Sequence, residues 1–185
     1  MIGRLPIFDI TPDNDLGPVK AVPGERFTVG ATVIREGHES LAAGVVVYSP
    51  KGRRERLVPM REHSPGTDRY EAEISLPAEG KWSFAVESWT DPFLTWHHTA
   101  QVKVPLDQDT ALVLEEGARL LARAARRVPR KPVLTVAAKT LRDTSLSPTR
   151  RLAAALTPEV LAEMERAPLR ELVTRSQRTS VVVHR

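Results

Sequence analysis

The side chains in this 185-residue sequence whose types could carry chemistry are five histidines, three tryptophans, a run of arginines and a few strand-borne glutamates. His97 and His98 are adjacent and offer two imidazoles. The alternation around them reads as a strand, and strand neighbours point to opposite faces, so the pair is not expected to share an ion. The chain has no cysteine to complete a tetrahedral set, and His38, His63 and His184 stand alone in turns or at the end. Trp82, Trp89 and Trp96 could each stack on a sugar ring. Trp82 and Trp96 fall in the apolar register of their segments and are expected in the core, whereas Trp89 has the opposite register from Trp82. Trp89 is therefore the candidate for an exposed contact with a sugar or a partner. Arg119, Arg123, Arg126, Arg127, Arg130 and Lys131 spread around a helix with an ordinary apolar stripe. They read as a solvated or partner-facing surface, and no nucleic-acid partner is expected without a base-reading module. Glu71 and Glu73 alternate with apolar residues on an open strand face, without the enclosure that raises a carboxyl pKa for acid catalysis. No Gly-rich phosphate loop, nucleophile elbow or Ser/His/Asp arrangement is present. The residues thus point to no catalytic group, no cofactor site and no metal site.

The elements that must position these residues follow from periodicity. In Lys81–Val104, Trp82, Phe84 and Val86 share one face, and Trp96, His98, Ala100, Val102 and Val104 share a face of a second run. With Asp91-Pro92 read as a turn, this predicts a hairpin of two long strands. Upstream, Leu5–Ile10, Phe27–Val33, Ala43–Tyr48, Arg56–Met60 and Tyr70–Leu76 read as strands, with Asp13–Pro23 a loop. Ala43–Tyr48 is apolar on both faces and so central, while Pro59 confines its strand to an edge. Short strands separated by regular turn signals indicate an immunoglobulin-like β-sandwich.

After Pro105 the period changes to about 3.6. One helix follows Asp109 and ends before Pro129. Others cover Val133–Leu141, Thr149–Leu156, Glu159–Arg166 and Pro168–Thr174, two of them opened by Ser147-Pro148 and Thr157-Pro158. Thr179–Val183 then turns β-like, which predicts a strand returning to the sandwich and makes the helices an insertion. The expected fold is therefore mainly β then α: a sandwich over 1–105 with its last strand near 179–185, and a small helical bundle over 106–178. Charge shifts with the pattern, from 12 basic against 14 acidic residues through Pro105 to 15 against 9 beyond it. The absence of cysteine fits a cytoplasmic setting. No run approaches the roughly 20 apolar residues of a membrane span, so no membrane is expected.

The blocks MIGRLPIFDITP, AVPGERFTVGATVIREGH, PGTDRYEAEISLPAEGKWSFAVESWTDPFLTWHH and LEEGARLLARAA occur in order across nearly the whole chain. Together they resemble the N-terminal region of the bacterial alpha-1,4-glucan:maltose-1-phosphate maltosyltransferases (GlgE), within the α-amylase superfamily. The resemblance implies a sandwich N domain and an inserted helical S domain that help build a homodimer. It places catalysis in a downstream (β/α)8 barrel, where an Asp nucleophile and a Glu acid/base transfer maltosyl units with retention. None of those motifs occurs here, and the sequence stops at His184-Arg185. The expectation is a non-catalytic scaffold and dimerisation region truncated before the barrel, inactive alone, with α-glucan and maltose-1-phosphate bound only through the absent domain. The alternative is a glucan-binding module using Trp89.

Overall fold

The computed structural model describes residues 5–128 and 132–185. It contains about as much helix as strand. Contacts divide the chain into two compact units, Met1–Thr90 with Leu172–Arg185, and Asp91–Glu171.

The first unit holds two sheets. The smaller has the order β1 (Ile7–Thr11), β3 (Arg26–Val33), β7 (Arg69–Ser75), β6 (Arg61–Glu62). The larger has the order β2 (Val19–Ala21), β10 (Thr179–Val183), β8 (Gly80–Thr90), β4 (Leu41–Tyr48), β5 (Arg54–Pro59), with β9 (Glu171–Arg175) also paired to β8. One apolar cluster draws Val29, Ala31 and Val33 from β3, Val45 and Val47 from β4, Trp82, Phe84 and Val86 from β8, and Val181 and Val183 from β10. The two sheets therefore share a core built from the alternating faces of their strands. The β-like end of the chain is β10, which runs antiparallel to β8 with Val181 opposite Trp82, and parallel to β2 with Val181 opposite Val19. Strand β5 lies at a sheet edge, where its Pro59 removes no needed donor. Within the segment expected to be loop, Val19–Ala21 forms β2, a short edge strand that exists by pairing with β10.

The expected second strand of the tryptophan hairpin is a helix, α1 (Pro92–Lys103). Asp91 is its N-cap: the Oδ1 oxygen accepts from Phe93 N at 3.0 Å and Leu94 N at 3.1 Å, and Pro92 occupies the first helical position. Asp91-Pro92 is thus the same start signal as Ser147-Pro148 and Thr157-Pro158, not a hairpin turn. Trp96, Ala100 and Val104 recur every four residues, which fits both a strand face and a helix face. The residues that separate the two periods are His98 and Val102, and both are exposed.

The helical unit continues with α2 (Thr110–Arg127), α3 (Pro132–Arg142), α4 (Pro148–Ala155) and α5 (Pro158–Arg166). Ser147 and Thr157 cap α4 and α5 by accepting from Arg150 N and Val160 N. No helix covers Pro168–Thr174 as the spacing of Leu169, Leu172 and Val173 suggests; Leu172 has a φ of 53°, which a right-handed helix does not contain, and the segment enters β9.

Trp96 joins α1 to α2 within this unit. Its Nε1 donates to Val113 O at 2.7 Å, and its ring lies 5.6 Å from Phe93 between centroids. The indole lies against the bare backbone of Gly117, where a Cβ would stand 2.1 Å from Trp96 Cζ2. Gly ordinarily weakens a helix by about 1 kcal/mol relative to Ala. Here the alanine methyl would have to displace a hydrogen-bonded ring. Gly117→Ala is therefore expected to destabilise the helical unit by about 3 kcal/mol, in the upper range for overpacking. Urea denaturation followed by far-UV circular dichroism checks this; a gain in stability would show that the contact is not tight.

Candidate functional site

In the two-sheet unit, the face of the larger sheet turned away from the shared core is also covered, and its chemistry centres on Glu87. The register sets Glu87 opposite Gly44, Ala85 opposite Val46, and Ser83 opposite Tyr48, and on the other side Val46 faces Leu57 and Tyr48 faces Arg54. Val46, Tyr48 and Ala85 form a small apolar cluster there with Leu57 against it.

Glu87 is 0% exposed. Arg54 from β5 grips it with both arms, Nη1 to Oε1 at 3.2 Å and Nη2 to Oε2 at 3.3 Å. Arg175 from β9 adds Nε to Oε1 at 2.6 Å and Nη2 to the same oxygen at 2.5 Å. The Glu87 carboxylate holds the Arg175 pKa above the usual arginine value, first through that hydrogen bond and then through its charge. Next to this triad the Arg178 guanidinium carbon lies 3.6 Å over the Tyr48 ring centroid. Ser176 pins the same segment to β8, its N–H donating to Val86 O at 2.9 Å and its Oγ accepting from Val86 N at 2.9 Å. The guanidinium heads of these arginines thus lie on the Glu87 carboxylate and the Tyr48 ring, while the side chains of Arg54 and Arg175 stay partly exposed. Both Glu87 oxygens are engaged by permanent cations, so the carboxylate is committed to ion pairs within the sheet.

The residues singled out from the sequence fall elsewhere. Trp82 is core, 9% exposed, with Nε1 donating to Ala78 O at 2.8 Å. Trp89, the candidate for exposure, is buried at 3%. Its ring lies across β4 at Gly44, where a Cβ would come within 3.2 Å of Trp89 Cη2. The opposite register leads to an enclosed face because that face has its own cover. His97 and His98 have ring centroids 6.1 Å apart, and burial, then the neighbouring His98, pushes the His97 pKa down. Among the described residues no group of three or more His, Cys, Asp or Glu could hold a metal ion. Glu71 meets His63 Nδ1 at 3.0 Å, and Glu73 meets Arg26 at 3.0 Å.

The basic run is largely engaged within the helical unit. Arg119 pairs with Glu115 at 3.0 Å, Arg123 with Glu171 at 2.8 Å, and Arg127 donates to Pro168 O at 3.0 Å. Arg142 and Arg119 together lower the Glu115 pKa to about 2. Arg130 and Lys131 lie outside the described residues. In the same unit, burial raises the pKa of the Asp91 cap against the hydrogen bonds that favour its charged form.

Spacing alone did not reveal the Glu87 triad, whose arginines are 33 and 88 positions away in sequence. A usable signal lay in Ala43–Tyr48. A strand apolar on both faces needs cover on both, and an acid on its neighbour must then be paired.

Residues 3–185 match the family described as "Alpha-1,4-glucan:maltose-1-phosphate maltosyltransferase, domain N/S". The chain belongs to that family. It is 49% identical over 189 residues to alpha-1,4-glucan:maltose-1-phosphate maltosyltransferase 2 of Streptomyces coelicolor, covering 100% of this chain and 28% of that protein. The maltosyltransferase of Mycolicibacterium smegmatis is 37% identical over 217 residues, covering 99% of this chain and 31% of the relative. That of Corynebacterium glutamicum is 36% identical over 196 residues, covering 100% and 29%. The domain N/S chain thus spans under a third of the length of these relatives and corresponds to their N-terminal region.

The triad yields a stability test. Removing one partner of a buried ion pair costs about 3–5 kcal/mol, because the rest is left uncompensated. Glu87→Gln is expected to cost about 3 kcal/mol in urea titrations, allowing for the partial exposure of both arginines. Glu73→Gln, from a pair exposed at 79% and 55%, should cost less than about 1 kcal/mol. Equal, small losses for both would show that the triad does not anchor the sheet.

Proposed function

We propose that this chain is the non-catalytic scaffold and dimerisation region of a maltosyltransferase that transfers maltosyl units from maltose-1-phosphate to α-1,4-glucan. Its two-sheet unit is, in this reading, an immunoglobulin-like sandwich, and the helices of α1 to α5 form the inserted bundle of a cytoplasmic enzyme. The observation that carries the proposal is the match of residues 3–185 to the family's domain N/S, in a chain spanning 28% of a full-length relative.

The buried acids support it. Glu87 is neutralised by two guanidiniums, and Asp91 caps a helix. Each carboxylate is thus taken up in its own unit, and neither is part of the pair of enclosed carboxyl groups that retaining glycosyl transfer requires. Among the described residues no helix is long and apolar enough to cross a membrane.

The purified chain, given maltose-1-phosphate and glycogen, is expected to release no phosphate above the level of a heat-denatured control. Sustained release would overturn the non-catalytic assignment.

For assembly, the expected state is a homodimer. The family match carries this expectation, and the helical unit has exposed apolar residues that association could cover: Val102, Leu106, Leu112 and Val136 are each about 60% exposed. Sedimentation equilibrium at rising concentration checks this, and a monomer throughout would remove dimerisation from the proposal.

A further inference from the structure

Tyr48 ends β4 on the same sheet face as Glu87 and is 3% exposed. Its Oη is buried and has no hydrogen-bond partner among the described residues. A buried phenol ordinarily finds one. The two cations beside it cannot supply an acceptor. Arg178 lies over the ring with its guanidinium carbon 3.6 Å from the centroid, and Arg175 is within electrostatic reach of the phenol oxygen. Guanidinium groups only donate.

The charges point the same way. Contacts link Arg54 and Arg175 to Glu87, and Arg178 to Tyr48, so three permanent cations meet one carboxylate. Arg178 is exposed and forms no ion pair among the described residues. The cluster therefore has spare donors and about two uncompensated positive charges, beside a buried hydroxyl that meets no acceptor among the described residues.

We propose that Tyr48, Arg175 and Arg178 form a binding site for a phosphate dianion, free or carried as a monoester. A phosphate group carries about −1.5 to −2 charges near neutral pH and has several strong acceptor oxygens. One oxygen accepts from Tyr48 Oη, and the guanidinium fork of Arg178 takes others. Arg178 swings from the ring face to the anion, since stacking on Tyr48 is its tie to the sheet. Glu87 keeps Arg54 and Arg175 in place and leaves Arg178 as the mobile donor. A single carboxylate ligand would balance only part of the charge.

The test titrates the purified chain with inorganic phosphate at constant ionic strength, read by calorimetry and by the arginine Nε–H resonances. Saturable binding with a shift of the Arg178 resonance is expected. Tyr48→Phe keeps the ring and removes only the oxygen. With no partner to lose, that variant should fold as stably as the parent or more so, while its phosphate affinity falls about tenfold or more, the worth of a hydrogen bond to a charged group. Arg178→Gln should weaken binding to a similar degree. Glycerol 3-phosphate in parallel separates the two sources: tighter binding than inorganic phosphate supports a monoester, and weaker or equal binding supports the free ion. A response matched by added sodium chloride overturns the proposal, as does equal phosphate affinity in the parent and Tyr48→Phe. A Tyr48→Phe chain that is less stable and unresponsive to phosphate would assign the oxygen to a buried water, and also overturns it.

Discussion

The carboxylate of Glu87, held between Arg54 and Arg175, ties together strands that lie far apart in sequence. Strand β8 is paired on one side by β4 and on the other by β9 and β10, which follow only after the helical unit. Closing a loop of some eighty residues costs roughly 4 kcal/mol if the loop is flexible. The helical unit reduces that cost by folding, but the returning segment must still be fixed in register. Arg175 on Glu87, the two Ser176–Val86 bonds and the five-residue ladder of β10 with β8 supply that register. A one-residue slip would send Val181 and Val183 away from the core and lift Arg175 from its partner. Buried ion pairs add little net stability compared with apolar packing, but they penalise misalignment heavily. In that sense the triad specifies the sheet more than it strengthens it.

The helical unit solves a different problem. Apart from the 18-residue α2, its helices among the described residues are 8 to 12 residues long, at or below the length at which isolated helices persist. Their order comes from a shared apolar cluster, within which α2 receives Trp96 by omitting a side chain at Gly117. Among the described residues, three of the five helices begin with a capping residue followed by proline: Asp91-Pro92, Ser147-Pro148 and Thr157-Pro158. Start signals of this kind fix boundaries that short apolar patterns leave loose.

Those signals also explain what the sequence made legible. The strands around Phe27–Val33 and Tyr70–Leu76 and the start of β8 follow from alternation, Ala43–Tyr48 follows from a short run apolar on both faces, and α2 to α5 follow from a period of 3.6, with capping residues and prolines marking the starts of α4 and α5. The return of Thr179–Val183 to a sheet follows from its β-branched run. At α1, a spacing of four residues satisfies both periods, and the cap-proline pair that decides between them is equally a turn signal. At β9, Leu169, Leu172 and Val173 mimic a helix face, and only a left-handed residue at Leu172 breaks it. Trp89 and Glu87 illustrate a further limit. Alternation assigns a residue to a face but does not say whether that face is covered. At Glu87 and Tyr48 arginines supply contacts, Arg54 and Arg175 on the carboxylate and Arg178 on the ring, and their positions depend on tertiary pairing.

The place of β10 between β2 and β8 has a consequence for how the protein is made. When Thr90 leaves the ribosome, the edge of β8 that β10 will occupy is unpaired, and Val183 is still 93 residues away. At ordinary synthesis rates that interval lasts about 5–20 s. For that time the nascent chain presents an open strand edge rich in aromatic and apolar groups, the kind of template on which neighbouring chains aggregate. The helical unit is synthesised during the wait and can form from local contacts, so the last strand arrives attached to a piece that is already folded.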